Sequence, residues 1–343
     1  MLSSLRVRGS AHEVGLALGR FGAPAVHEVL VRGEAWAQVM RWRGSAALQH
    51  MATLVQQRLP ACWQELRGLA DGLALPLEDV FAWNCRGDVW AMAPDGCTTV
   101  QLPGRAFPTF AHNEDGDPGL QGRCALAQVQ VDGGSRFAAV VYPGSLPGHT
   151  IAVTGGGMAV TVNNLRTLHA ATGLPRMALS RAVLDQPSMA AAIDLLETSP
   201  RSGGFHLTLG QAGHAALFSV EFNATRCSVL TVGRPSIHAN HMIHTAMAHQ
   251  PQVVTGSSGH RQIRGEALLE QARRTGESPD ALAILHDQGN TAFPIFRDDP
   301  QDSDRENTLA TALIEVGAKT VQWQVHTQRS PTPQYRLTNG ALS

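Results

Sequence analysis

The sequence predicts an α+β fold in which antiparallel sheets are covered by helices, and two observations carry that expectation. Apolar residues recur at three- and four-residue spacings through residues 11–92, the period of helices with one buried face. From Cys97 onward the pattern changes to short apolar runs bounded by Gly and Pro, which mark strands arriving in succession. Strands in runs, with helices before, between and after them, do not make the regular strand-helix alternation of a parallel sheet.

In chain order, "AHEVGLALGRFGAPAVHEVLVRGEAW" and "SAALQHMATLVQQRLPACWQELRGLADGLAL" read as helices. "PLEDVFAWNCRGDVWAM" continues them, with Pro76 suited to a first turn and acidic residues behind it. Strand-like runs follow in "TTVQL", "FPTFAHN", "CALAQVQVDGG", "RFAAVVYPG" and "TIAVTGGGMAVTVNNL". "PRMALSRAVLDQPSMAAAIDLLETS" reads as two helices split at Gln186-Pro187, after which "FHLTLGQAGHAALFSVEF" returns to strand. Residues 259–286 read as helix, residues 287–306 as a mobile polar surface loop, and "TLATALIEVGAKTVQWQV" as a closing hairpin.

Composition narrows the function. A chain of 343 residues, 43% of them hydrophobic, can bury a sizeable core as one large domain or two ordinary ones. With 27 basic against 28 acidic residues there is no electrostatic footprint for nucleic acid or an anionic membrane. The start, "MLSSLRVRGSAHEVG", turns polar at once, and no apolar run approaches the roughly 20 residues of a membrane span. The expectation is a soluble, cytoplasmic protein without a membrane partner. Five cysteines, an odd number without CxxC spacing, argue for reduced thiols rather than a disulfide framework or zinc ribbon. The cluster "GGGMAV" lacks both the G-x-G-x-x-G order and a following helix, so no dinucleotide and no other cofactor is expected.

In "APDGCTTV" a strong turn signal, Pro94-Asp95-Gly96, runs directly into Cys97 and two threonines that begin a strand. One reading is a loop handing over to a strand whose first residue is a small buried thiol. The other is chemical: the turn strains and exposes the Gly96-Cys97 bond, and the thiol attacks it. A rival constellation lies in "HANHMIHTAMAH", where His238, His241 and His244 offer ligands for a metal-dependent or unprocessed binding protein. On a helix His241 and His244 would share a face, whereas on a strand they would split. No Asp or Glu lies in that run, and no H-E-x-x-H motif occurs in the chain.

The run "DGCTT", preceded by about a hundred helical residues and followed by "AHNEDGD", resembles the acyl-coenzyme A:6-aminopenicillanic acid acyltransferase family, the isopenicillin N acyltransferases and their hydrolase relatives. The similarity continues in "WQELRGLADGLAL" and "WNCRGDVW" upstream and in "VTVNNL", "SVEF", "HANHMIH" and "ENTLATALIEV" downstream, in order over most of the chain. The resemblance implies a four-layer αββα N-terminal-nucleophile hydrolase sandwich, made as a precursor that cuts itself between Gly96 and Cys97. Fragments 1–96 and 97–343 would then stay together as a heterodimer forming one structural domain. No metal is expected, since the histidine run has neither an acidic ligand beside it nor an H-E-x-x-H motif. The chain's partners would be a small acyl amide or amine, with an acyl-coenzyme A donor as a further candidate.

The chemistry suits those residue types. A thiol needs a base, and an α-amino group on the same residue, with a pKa of about 7.7–8.0, supplies one once the bond is cut. Gly96 allows the backbone to contort for the N-to-S shift. Cys97 would then carry an acyl group as a thioester that water or an amine resolves. By resemblance, Asp115 holds the amino terminus or substrate amine, Asn240 supplies an oxyanion-hole amide, and Arg305 lies close to the nucleophile. Thr99 shares the face of Cys97 by strand alternation and is expected to bond the precursor carbonyl. One of Asn163 and Asn164 is expected to touch substrate. Gly116 stands where relatives tend to carry an aromatic, which alters the wall beside the nucleophile and argues against assuming penicillin chemistry.

Overall fold

Ser10 starts the first helix by accepting from the Glu13 amide while the Glu13 carboxylate reaches back to the Ser10 amide, a reciprocal cap that fixes the chain's first turn. The structure is a computed structural model that describes residues 1–94, 96–104, 106–168, 171–301 and 304–342. Among these the helices are α1 (Ala11–Ala25), α2 (Glu34–Met40), α3 (Ala46–Arg58), α4 (Pro60–Leu73), α5 (Leu77–Asn84), α6 (Arg86–Val89), α7 (Arg176–Val183), α8 (Met189–Thr198), α9 (Gly256–Thr275) and α10 (Ala281–Leu285). The strands are β1 (Ser3–Gly9), β2 (Gly96–Leu102), β3 (Thr109–Gly116), β4 (Ala125–Val131), β5 (Arg136–Val141), β6 (Ile151–Thr154), β7 (Met158–Leu165), β8 (Gly204–Gln211), β9 (Phe218–Phe222), β10 (Cys227–Thr231), β11 (Ser236–His238), β12 (Asn307–Val316), β13 (Val321–His326), β14 (Tyr335–Thr338) and β15 (Ala341–Leu342).

The strands form two sheets, ordered β1-β4-β5-β6-β7-β8-β9-β10 and β11-β2-β3-β12-β13-β14-β15. All pairings are antiparallel except β1 with β4. β2 meets β7 across the middle, the helices preceding β2 and the α7–α8 pair pack outside the first sheet, and α9 and α10 outside the second. This is the expected four-layer αββα sandwich. Every residue of β7 is buried, because one face meets the other sheet and the other meets helices.

Packing of α1 on α4 depends on glycines. A Cβ at Gly15 would lie 1.9 Å from the Glu65 carbonyl oxygen, and one at Gly68 would lie 1.9 Å from that of His12. The two backbones therefore approach closer than any side chain permits.

Residues 1–96 are joined to the rest of the fold by more than apolar packing. β1 pairs with β4 over seven residues, and Gln334 and Tyr335 hold the Leu2 backbone. Glu65 on α4 forms a buried ion pair with Arg181 on α7 at 2.8 Å. Asp88 accepts from the backbone amides of Arg176 and Gly203.

The predicted elements recur with differences, among them a break of the helix expected over 259–286 into α9 and α10 at the left-handed Gly276. β1, β10, β11, β14 and β15, short or at sheet edges, lie outside the predicted strands. The loop 287–306 is not only surface: Ile295, Phe296, Arg297 and Glu306 are buried. The glycine cluster makes the β6–β7 turn, with Gly157 at φ 77°. No single described helix is long and apolar enough to cross a membrane.

Candidate active site

Strand register builds the site. Cys97 stands directly opposite Glu114, and Thr99 opposite His112, in the β2–β3 pair. Alternation puts these four side chains on one face. That face meets a second cross-strand pair, Asn163 and His206, on β7 and β8.

The contacts follow from this stacking. Cys97 Sγ lies 3.9 Å from Glu114 Oε2, which lies 3.1 Å from His112 Nε2. His112 Nδ1 lies 2.8 Å from the Thr99 hydroxyl, which donates to Asn163 Oδ1 at 2.7 Å. The chain of polar groups continues through His206, Ser219 and His244 to Ser228. Burial holds His112 down at about 3 and His206 well below its ordinary value, so these rings are neutral.

The other face of the same strands is charged. Thr98, Asp115 and Gly96 look toward α9 and the loop before β12. Arg261 on α9, fully buried, donates to the Cys97 carbonyl at 2.5 Å, to the Thr98 hydroxyl at 2.7 Å and to Asn240 Oδ1 at 2.7 Å. Burial pulls this guanidinium below its ordinary value, an effect that the Asp115 carboxylate opposes. Asp115 faces Gly96 in the register, accepts from Thr308 at 2.7 Å and lies 3.9 Å from Arg297. Arg297 pairs with Glu306 at 2.7 Å, and Arg166 approaches the same carboxylate at 3.8 Å.

Asn240 joins the two halves. Its Oδ1 accepts from the Cys97 amide at 2.9 Å, and its Nδ2 donates to the Asn164 carbonyl at 3.1 Å. The side-chain amide thus holds the Cys97 nitrogen with its oxygen while its Nδ2 is engaged by the Asn164 backbone. Asn164 itself donates to the Ala93 carbonyl at 3.4 Å and accepts from Arg176. Asn163 is part of the interior polar chain, and Thr99 is engaged by His112 and Asn163.

Several expectations change in detail. Gly96 already lies in β2, and its lack of a side chain matters for space: a Cβ there would come within 2.4 Å of Glu306 Oε2. Asp95, the centre of the predicted turn, lies outside the described residues. Arg305 is exposed with φ 53° and borders a cavity rather than the Cys97 backbone, where Arg261 stands instead. His238, His241 and His244 do not converge on one point. His238 bonds Glu221 at 2.8 Å and stacks on His206, His241 bonds Ser258, and His244 bonds Ser219 and Ser228. Burial pushes the thiols of Cys62, Cys85 and Cys124 up, and that of Cys227 to about 11, which suits inert packing residues.

Arg261, Arg297, Glu306, Glu114 and His112 escaped the sequence reading as site residues. Glu114 and His112 could have been found by applying to β3 the alternation that was applied to β2. Arg261 sits in a helix with no local motif.

A cavity of about 500 Å³ adjoins the site, walled by Trp83, Trp90, Tyr142, Arg166, Arg305 and Glu306 among others. Cys97 is not part of its wall, but Met92 and Pro94, just upstream of Gly96, are. The four-layer αββα sandwich is the fold class of the N-terminal-nucleophile hydrolases, and here a buried cysteine stands near the head of one inner strand, its amide held by a side-chain amide. A family model for acyl-coenzyme A:6-aminopenicillanic acid acyl-transferase matches residues 103–330, about two-thirds of the chain. The chain belongs to that acyltransferase family; the match begins just downstream of Cys97.

Proposed function

We propose that the chain is a self-processing amidohydrolase or acyltransferase with Cys97 as nucleophile, cleaving or transferring the acyl group of a small N-acyl amine, amino acid or lactam. The observation that carries this reading is the grip of Asn240 on the Cys97 nitrogen, reinforced by Arg261 on the Cys97 carbonyl. These contacts fix the backbone on the downstream side of the scissile bond, as an intramolecular attack requires.

Attack of Sγ on the Gly96 carbonyl carbon forms a thioester as the C–N bond breaks, and the nitrogen takes a proton to become an amine. Water then cleaves the thioester, leaving a Gly96 carboxylate and a free N-terminal Cys97. In turnover the amine, held by Asn240, takes the thiol proton, and the acyl thioester passes to water or an acceptor amine. Release of the cut end beside Met92 and Pro94 would open the cavity to Cys97. Its aromatic walls suit an apolar acyl group, while its rim carries charges of both signs. Fragments 1–96 and 97–343 remain one domain through β1 and the buried Glu65–Arg181 pair.

Intact mass under denaturing conditions tests the reading. Wild type should give fragments corresponding to residues 1–96 and 97–343, and Cys97→Ala a single chain. A single chain in both would sink it.

A further inference from the structure

We propose that Glu114, backed by His112, takes the thiol proton of Cys97 when the chain cuts itself; this rests on the self-cleavage reading above. The need is chemical. Before the cut Cys97 has no free amine, so the base used in turnover does not yet exist, and the thiol is a weak nucleophile until it loses its proton.

The proton positions follow from the hydrogen bonds. Asn163 Nδ2 donates to the His238 carbonyl at 3.0 Å, which fixes Oδ1 toward Thr99. The Thr99 hydroxyl gives its single proton to that oxygen, so His112 Nδ1 must carry its own proton to bond Thr99. In the neutral ring the lone pair is then on Nε2, 3.1 Å from Glu114 Oε2. Two acceptors at that distance share a proton, and with both side chains buried the neutral arrangement places it on Glu114.

The step is a double transfer. The thiol proton passes to Glu114 as the Glu114 proton passes to His112 Nε2, giving a thiolate and an imidazolium with no change in net charge; burial, which holds His112 down at about 3, makes this pair transient, and the attraction between its two charges offsets part of that cost. When the tetrahedral adduct on Gly96 collapses, the same relay runs backward and delivers one proton to the departing Cys97 nitrogen. Glu114 touches the reacting sulfur and is catalytic, whereas His112 acts through it. One side-chain atom each of Cys97, Glu114 and His112 lies within 4.8 Å of the other two. In the mature protein the amine takes over, so the relay belongs to maturation.

The test follows cut fraction over time in cell-free synthesis of wild type and Glu114→Gln, from about pH 6 to about pH 9. Glu114→Gln should cut roughly 10²–10⁴-fold more slowly near neutrality, the usual worth of a positioned base. Its rate should rise steadily with pH across that range, because hydroxide then has to remove the proton, whereas the wild-type rate should change less. A purely structural role would lower stability and leave the shape of the pH profile unchanged. Wild-type rate and profile in Glu114→Gln would overturn the proposal, while an uncut wild type would instead overturn the self-cleavage reading. If Glu114→Gln does not fold, Glu114→Asp, whose carboxylate is one methylene short of the sulfur, should cut at least about tenfold more slowly than wild type; an unchanged rate would overturn the proposal equally.

Discussion

Arg261→Met should destabilise the uncut protein by about 2–4 kcal/mol, and the figure follows from what the guanidinium holds. Three contacts of 2.5–2.7 Å run from it to Cys97, Thr98 and Asn240, and its Nε bonds Ser257 at 3.0 Å. Losing them leaves the Cys97 carbonyl without that donor in a buried site, worth about 1–3 kcal/mol. Asp115 and Glu306 also lose a neighbouring positive charge, while relief of the cost of burying the guanidinium offsets part of the loss. Asn240 Oδ1 keeps the Cys97 amide, so the effect should not spread to the whole polar chain. The assay is equilibrium urea unfolding by tryptophan fluorescence, with both variants in a Cys97→Ala background so that every molecule is one chain. Arg261→Lys should recover at most half, because a compact ammonium cannot reach three acceptors spread across a planar fork. A change below about 0.5 kcal/mol, the range of ordinary surface substitutions, would refute the account.

Gly68→Ala should cost roughly 1–3 kcal/mol or more by forcing α1 from α4, whereas Gly233→Ala, with open space around it, should be near neutral; the same unfolding assay compares them. Stability should fall as pH drops below about 6.5, the unfolded histidine value, because burial depresses the folded values of His112, His206 and His241, leaving the unfolded chain to bind more protons. Asp88, raised to about 6 by burial, acts in the opposite sense: its contribution is full below about 4 and is lost as pH rises through 6. Asp88→Asn should therefore flatten that component, measured as unfolding free energy against pH. Arg305→Ala should leave self-cleavage and stability unchanged and alter substrate KM, since the side chain is exposed at the cavity rim; a cleavage rate lowered more than about tenfold, the scale of a lost catalytic contact, would return Arg305 to the nucleophile.

The layered fold was legible because the period changes from helical to strand-like at one point and every long element keeps its pattern. The short strands were not: β11 has three residues, β14 four and the edge strand β15 two, too few for a local pattern to mark them against tertiary context. Within the site, Cys97 and Asn240 could be found by motif, and they do meet. Arg261 and Glu306 could not, because a buried charge is recognised by its partners, and these come from segments far apart in sequence. Arg305 was placed one residue away from Glu306, whose side chain points inward while that of Arg305 remains exposed.

The two faces of the β2–β3 pair divide the chemistry of a single residue. The inner face presents the sulfur to Glu114 and His112, while the outer side and strand end fix the Cys97 backbone through Asn240 and Arg261. Strand alternation makes this division possible, since neighbouring residues 114 and 115 send carboxylates to opposite sides. Glycine at 96 follows from the outer arrangement. The Arg297–Glu306 pair closes over Gly96, and any Cβ would have to displace a carboxylate already held at 2.7 Å by a buried guanidinium. The residue before the nucleophile is therefore constrained by packing, and the loop that reads as a mobile surface segment supplies the charges that impose the constraint.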